Sequence, residues 1–148
     1  MSLQLRITEE LKASMVARNA DRTGTLRLIK SALGYAQIEK KTESLDDPDV
    51  IAVLQREAKK RVNAISEYTA GGREELAAKE RAELVILEEF LPKALSPEQL
   101  EALVKAVIAE TGATSKKDMS GVMKATMARA AGQADGKAVS AIVGRLLP

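Results

Sequence analysis

The sequence predicts an all-α protein of seven helices, four in residues 1–94 and three in residues 95–148. Three observations carry that prediction. Apolar residues recur at helical spacing along the chain, and the alternation of Val, Ile, Thr and aromatics that marks a strand persists nowhere. The prolines stand at 48, 92, 97 and 148, each beside a boundary the apolar pattern already marks. Capping signatures precede several of the periodic segments.

The first helix, about residues 2–18, carries Arg6, Glu9, Glu10 and Lys12 within its first dozen residues. Those charges interrupt a signal-peptide core and are too acidic for a transit peptide, so the expected compartment is the cytoplasm. The second helix, about 22–41, presents Leu26, Ile29, Leu33 and Ala36 on one face. The third, about 48–69, follows Asp47, Pro48 and Asp49, read as an N-cap, a proline at the first helical position and an acid in the first turn. Its apolar face is Ile51, Leu54, Ala58, Val62 and Ile65, and Gly71-Gly72 stops it. The fourth, about 73–91, carries Leu84, Leu87 and Leu91.

Two prolines five apart in Phe90-Leu91-Pro92-Lys93-Ala94-Leu95-Ser96-Pro97 cannot continue a helix, and the domain boundary is placed there. The fifth helix, about 97–110, begins with a capping box of Ser96 and Gln99, Pro97 at the first position and a Leu95–Leu100 staple. The sixth, about 116–130, repeats the box with Ser115 and Asp118 and carries Met119, Val122, Met123 and Met127. The seventh, about 136–147, is capped by Asp135 and carries Val139, Ile142, Val143 and Leu146. Gly112 and Gly132 are read as C-terminal stops. A unit of 54 residues is near the lower limit for a self-sufficient core.

Composition excludes more chemistry than it suggests. The 148 residues include no histidine, cysteine or tryptophan, which removes imidazole acid–base relays, cysteine nucleophiles, disulfides and metal sites built on imidazole or thiolate. Neither metal nor cofactor is expected. Membrane spans need about 18 apolar residues, a run the chain nowhere approaches. The acids at Asp46, Asp47 and Asp49 are explained by capping, and Glu80, Glu83, Glu88 and Glu89 by a solvated helix face. No catalytic residue is assigned, and a Ser115–Lys116 nucleophile pair would require burial that adjacent helix-start positions rarely have.

Charge is informative by position. Residues 1–94 carry 16 basic and 16 acidic side chains, whereas the stretch after Thr111 has Lys116, Lys117, Lys124, Arg129, Lys137 and Arg145 against Asp118 and Asp135, a surplus of four. Lysines in the first turn of a helix oppose its dipole, and an anion would offset that. Two readings stand for this tail: lysines solvated for solubility, or a phosphate-binding surface. A second basic stripe, Arg56, Lys59, Lys60 and Asn63, with Arg61 beside it, reads as a solvated face in a domain without net charge. Three scattered aromatics, Tyr35, Tyr68 and Phe90, supply no stacking surface, so RNA recognition would run through phosphate and shape.

The segments Leu26-Arg27-Leu28-Ile29, Gly72-Arg73-Glu74-Glu75-Leu76, Glu88-Glu89-Phe90-Leu91-Pro92-Lys93-Ala94-Leu95, Lys117-Asp118-Met119, Val122-Met123-Lys124 and Ala134-Asp135-Gly136-Lys137 together resemble the GatB/YqeY family in order and spacing across the chain. The resemblance implies an N-terminal four-helix bundle (1–94) followed by a C-terminal three-helix bundle (95–148). The second part is similar to the tail domain of GatB, a subunit of the tRNA-dependent amidotransferase that converts misacylated Glu-tRNA or Asp-tRNA to Gln-tRNA or Asn-tRNA. That tail domain contacts tRNA. The expected partner is therefore tRNA, with Lys116, Lys117, Lys124 and Lys137, together with Ser115, Gly121 and Gly136, as candidate contacts. An aminoacyl-tRNA synthetase or amidotransferase subunit is the alternative partner. The resemblance also implies an association with carbon–nitrogen ligase activity using glutamine as amido-N donor, for which these residues supply neither a phosphate-cradling loop nor a glutamine-hydrolysing cysteine. The family usually reads Asp-Met-Gly; here Ser120 precedes Gly121, so the glycine falls one position later.

Overall fold

The computed structural model describes all 148 residues and is all-α, with no strand. Seven α-helices follow in order: α1 Leu3–Val16, α2 Ala20–Lys40, α3 Asp47–Ala70, α4 Glu74–Glu88, α5 Pro97–Thr111, α6 Met119–Ala130 and α7 Gly136–Leu146. A 3-10 turn, Lys116–Asp118, leads into α6. Two compact units divide the chain, Met1–Leu91 and Pro92–Pro148.

In the first unit, Ile7 and Leu11 of α1, Leu26, Ile29, Leu33 and Ala36 of α2, Val50, Val53 and Leu54 of α3, and Leu87 and Phe90 share one apolar core. The face expected of the second helix is thus buried as read. Local chemistry sets the ends. Asn19 caps α2 by accepting from Arg22 N at 3.2 Å, so the helix starts before residue 22. Asp46, not Asp47, caps α3, accepting from Asp49 N at 2.9 Å. Asp47 is used across the fold instead, its carboxylate accepting from Leu3 N at 2.8 Å and tying down the start of α1. Gly71 caps α3, and Gly72 takes φ 71°, a left-handed turn that glycine adopts without steric cost.

The distal half of α3 departs from the sequence reading. Val62, expected on the apolar face, is 52% exposed, while Arg61 is only 6% exposed. Beyond residue 57 α3 packs on α4, and the inner position of that arm is ionic. Arg61 Nη1 pairs with Glu57 at 3.1 Å, and Arg61 Nε lies 3.4 Å from Glu83 on α4, within ion-pair distance but without a hydrogen bond. A guanidinium inside must be paired, and a neighbouring valine is displaced outward to let that happen.

In the second unit, Leu100, Val104 and Val107 of α5, Val122 of α6, and Val139, Val143 and Leu147 at α7 form the core, bordered by Met119, Met123, Met127, Ile142 and Leu146. The Ser96–Gln99 capping box is present in both directions, at 3.1 and 3.0 Å. The Ser115–Asp118 box is present too, on the 3-10 turn. Thr126 is fully buried, and its hydroxyl has no hydrogen-bond partner.

Candidate functional site

Ion pairing sorts the basic groups of the second unit into two sets. Arg145 lies 3.4 Å from Glu101, which also meets Lys105 at 3.4 Å, and Arg129 pairs with Glu110. Arg145, with Lys105 second, holds the Glu101 carboxyl below its usual range, and Arg129 does the same to Glu110. Asp118 is consumed by backbone, accepting from Thr114 N at 3.0 Å and Ser115 N at 3.4 Å, and Asp135 accepts from Ala138 N at 2.8 Å. Of the unit's carboxylates only Glu98, in the first turn of α5, is left. Lys93, before α5, and Lys116, Lys117, Lys124 and Lys137, after Thr111, are exposed and meet no carboxylate within salt-bridge distance.

Their placement follows from the chain path. Lys116 and Lys117 lie on the 3-10 turn, Lys124 projects from α6, and Lys137 is in the first turn of α7. Gly121 and Lys124 are three residues apart on α6, a spacing that places them on one helical face. A cleft of about 340 Å³ brings Lys117, Asp118 and Gly121 together with Thr111, Ala113 and Val122. Gly121 faces open space: a Cβ there would meet nothing within 4 Å. An interior helical glycine costs about 1 kcal/mol relative to alanine, and no packing contact of this chain requires it. A Cβ at Gly136, the first residue of α7 and outside that cleft, would likewise meet nothing within 4 Å.

The two helix starts differ as anion sites. At the Ser115 end the donors are occupied: Lys116 N donates to Pro148 O at 3.2 Å, Lys117 N to Ser115 Oγ at 3.4 Å, and Asp118 N to Ser115 O at 3.0 Å. The N–H groups that a helix start ordinarily leaves free are thus spent within the chain, leaving the ammonium groups as the anion-binding feature. At α7 the cap residue takes Ala138 N, and the first-turn N–H groups of Gly136 and Lys137 have no acceptor in the chain, the ordinary state of a helix start.

Sequence reasoning missed the arginine pairing, whose acidic partners lie before Thr111 and outside the stretch in which charge was summed. It also missed the burial of Arg61. No group of His, Cys, Asp or Glu is arranged to hold a metal ion, and no helix is long and apolar enough to cross a membrane.

Comparison with known proteins adds the following. The family model described as Yqey-like protein matches residues 4–147. An uncharacterized protein of Schizosaccharomyces pombe is 36% identical over 92 residues, covering 62% of this chain and 74% of that protein. The protein named Altered inheritance of mitochondria protein 41, mitochondrial, is 30% identical in Kluyveromyces lactis, covering 70% of this chain and 57% of that protein. Its Vanderwaltozyma polyspora counterpart is 26% identical, covering 68% of this chain and 56% of that protein. The match thus spans little more than half the length of the two proteins named for mitochondrial inheritance.

Proposed function

The chain belongs to the Yqey-like protein family, and from that premise we propose that it is a tRNA-binding accessory that contacts phosphates through its C-terminal helices and performs no chemistry of its own. In this reading residues 1–94 form a four-helix bundle, residues 95–148 a three-helix bundle, and the second acts in trans as the GatB tail domain acts within the amidotransferase. One observation carries it: with Glu101 and Glu110 engaged by Arg145, Lys105 and Arg129, and Asp118 and Asp135 turned to backbone N–H groups, the four exposed lysines after Thr111 have no salt-bridge partner. Uncompensated ammonium groups are the usual means of neutralising phosphates, and they position a nucleic acid without reading its sequence. The absence of histidine and cysteine supports the non-catalytic part.

Purification of the full chain from native lysate, with and without nuclease, tests the proposal. RNA that accompanies the untreated chain and is lost at high salt supports it. A protein partner that survives nuclease, with no RNA bound, supports docking to a synthetase or amidotransferase subunit instead. Turnover of Glu-tRNA by the isolated chain with ATP and glutamine, abolished by a single substitution, would overturn the non-catalytic reading.

A further inference from the structure

The seam between α2 and α3 places an exposed aromatic ring beside cations that the sequence assigns to a solvated face. A groove of about 420 Å³ is lined by Tyr35, Ala36, Val53, Arg56, Glu57 and Lys60, among others. It adjoins a second of about 330 Å³ that shares Ala36, Glu39, Val53 and Arg56. Either volume is within the range of about 300–1,000 Å³ typical of small-ligand sites. Tyr35 is 76% exposed, and Phe90, whose face carries Arg6, is the ring engaged by a cation within the chain.

The charges around Tyr35 do not simply cancel. Glu57 is held by Arg61 at 3.1 Å and by Lys60 at 3.2 Å, and Glu83 takes the other side of Arg61. That network is closed on itself. Arg56, in the groove, and Lys59, one residue before Lys60, have no carboxylate partner, and Glu39 is the one acid of the groove left outside any pair. Because Arg61 already satisfies Glu57, Lys60 can turn to an incoming anion without stranding a buried carboxylate.

We infer that this seam binds an unpaired nucleotide of an RNA strand, its base stacked on Tyr35 and its phosphates on Arg56 and Lys60. Three scattered rings make no extended stacking surface, but a single ring three-quarters exposed offers one π-face of the kind single-strand binders use, and a guanidinium beside it supplies the backbone contact. The inference shares with the proposed function only the class of partner. It adds a contact for single strands on the first unit, independent of the tail lysines.

The test uses the full chain and a fluorescein-labelled octaadenylate, with binding followed by anisotropy at low salt. Since the chain has two tyrosines and no tryptophan, a Tyr68→Phe background leaves Tyr35 as the single emitter, and the unlabelled strand should quench it. Stacking on one aromatic is worth about 5- to 150-fold in affinity, so Tyr35→Ala should weaken binding by that factor and Tyr35→Phe should retain it. Arg56→Gln should weaken binding, and Glu39→Gln should strengthen it by removing the groove's unpaired acid. A fully paired RNA duplex of the same length should not quench Tyr35. Tyr35→Ala binding as tightly as the native chain overturns the inference, as do equal quenching by the duplex and no binding of octaadenylate at all. Adenosine monophosphate binding as tightly as the strand would overturn the assignment to RNA in favour of a free nucleotide. Loss of tRNA binding in Lys116→Gln/Lys117→Gln with octaadenylate binding intact supports two separate contacts. If that tail variant loses octaadenylate while Tyr35→Ala keeps it, the seam inference falls and the proposed function stands.

Discussion

Removing two charges from the tail gives a prediction whose size follows from the pairing pattern. In Lys116→Gln/Lys117→Gln, charge is lost without added repulsion, and both side chains are exposed, so helical content should be unchanged. With four uncompensated lysines after Thr111, counterion release gives a log–log salt slope for tRNA binding of about −2.8 to −3.6 from that surface. The variant should flatten the slope by about 1.4 to 1.8. Between about 50 and 200 mM salt, the four-lysine contribution amounts to roughly 50- to 150-fold in affinity and the two-lysine contribution to roughly 7- to 12-fold. Were Arg129 and Arg145 also free, six contacts would raise the slope to about −4.2 to −5.4. The control is therefore Arg129→Gln with Glu110→Gln, which removes an ion pair without changing net charge and should leave the slope alone. Filter binding of several tRNAs over a salt series reads all of this. Losses should be similar across tRNAs, because phosphate contacts carry no sequence information. An unchanged slope in the lysine variant, or a slope that drops with the Arg129–Glu110 pair, would refute the reasoning.

Three further expectations concern stability. Arg61→Met should cost about 3 kcal/mol, the low end for breaking a buried pair, because Glu57 and Glu83 keep some contact with water; faster amide exchange in α3 and α4 than in α1 is the readout, and a neutral effect would refute it. Thr126→Val should raise the stability of the second unit by about 1–2 kcal/mol in denaturant unfolding, since a fully buried hydroxyl without a partner is lost and the shape is kept; destabilisation would show that the hydroxyl has a partner. Glu101 and Glu110 have folded pKa values below their unfolded value of about 4.3, so the stability they contribute is full above that pH and is lost as pH falls through the lowered values. Thermal unfolding of Glu101→Gln/Glu110→Gln should thus differ from the native chain at pH 7 and converge with it in acid; a constant difference across the range would count against the pairing.

What the sequence reveals here depends on how far a residue's partner lies along the chain. The Ser96–Gln99 box is legible because donor and acceptor are three residues apart and a proline fixes the position between them. The choice between Asp46 and Asp47 as cap is not, because both precede Pro48 and the alternative use of Asp47 is a contact with Leu3, 44 residues away. Periodicity finds the buried face of α2, where the environment is uniformly apolar. It misplaces Val62 because the inside of the α3–α4 arm is ionic, and a pattern of apolar residues cannot report that arginine takes the inner position.

The same distance rule shapes the charge surface. Arg129 and Arg145 stand beside the four lysines in sequence, yet α5 returns Glu110 and Glu101 to them across the unit. A guanidinium offers several donors in a fixed fork and is well suited to such pairing, whereas Lys116, Lys117, Lys124 and Lys137 meet no carboxylate across the unit. Folding thus converts a mixed basic tail into lysines alone. Point charges on flexible stems attract phosphate from any RNA, so selectivity for a kind of RNA has to come from a contact of different chemistry. On the inference drawn for the α2–α3 seam, Tyr35 and Arg56 would supply that chemistry, because a stacked base must first be unpaired. If both contacts hold, RNA with free nucleotides should bind more tightly than plain duplex, which is a distinction of form and not of sequence.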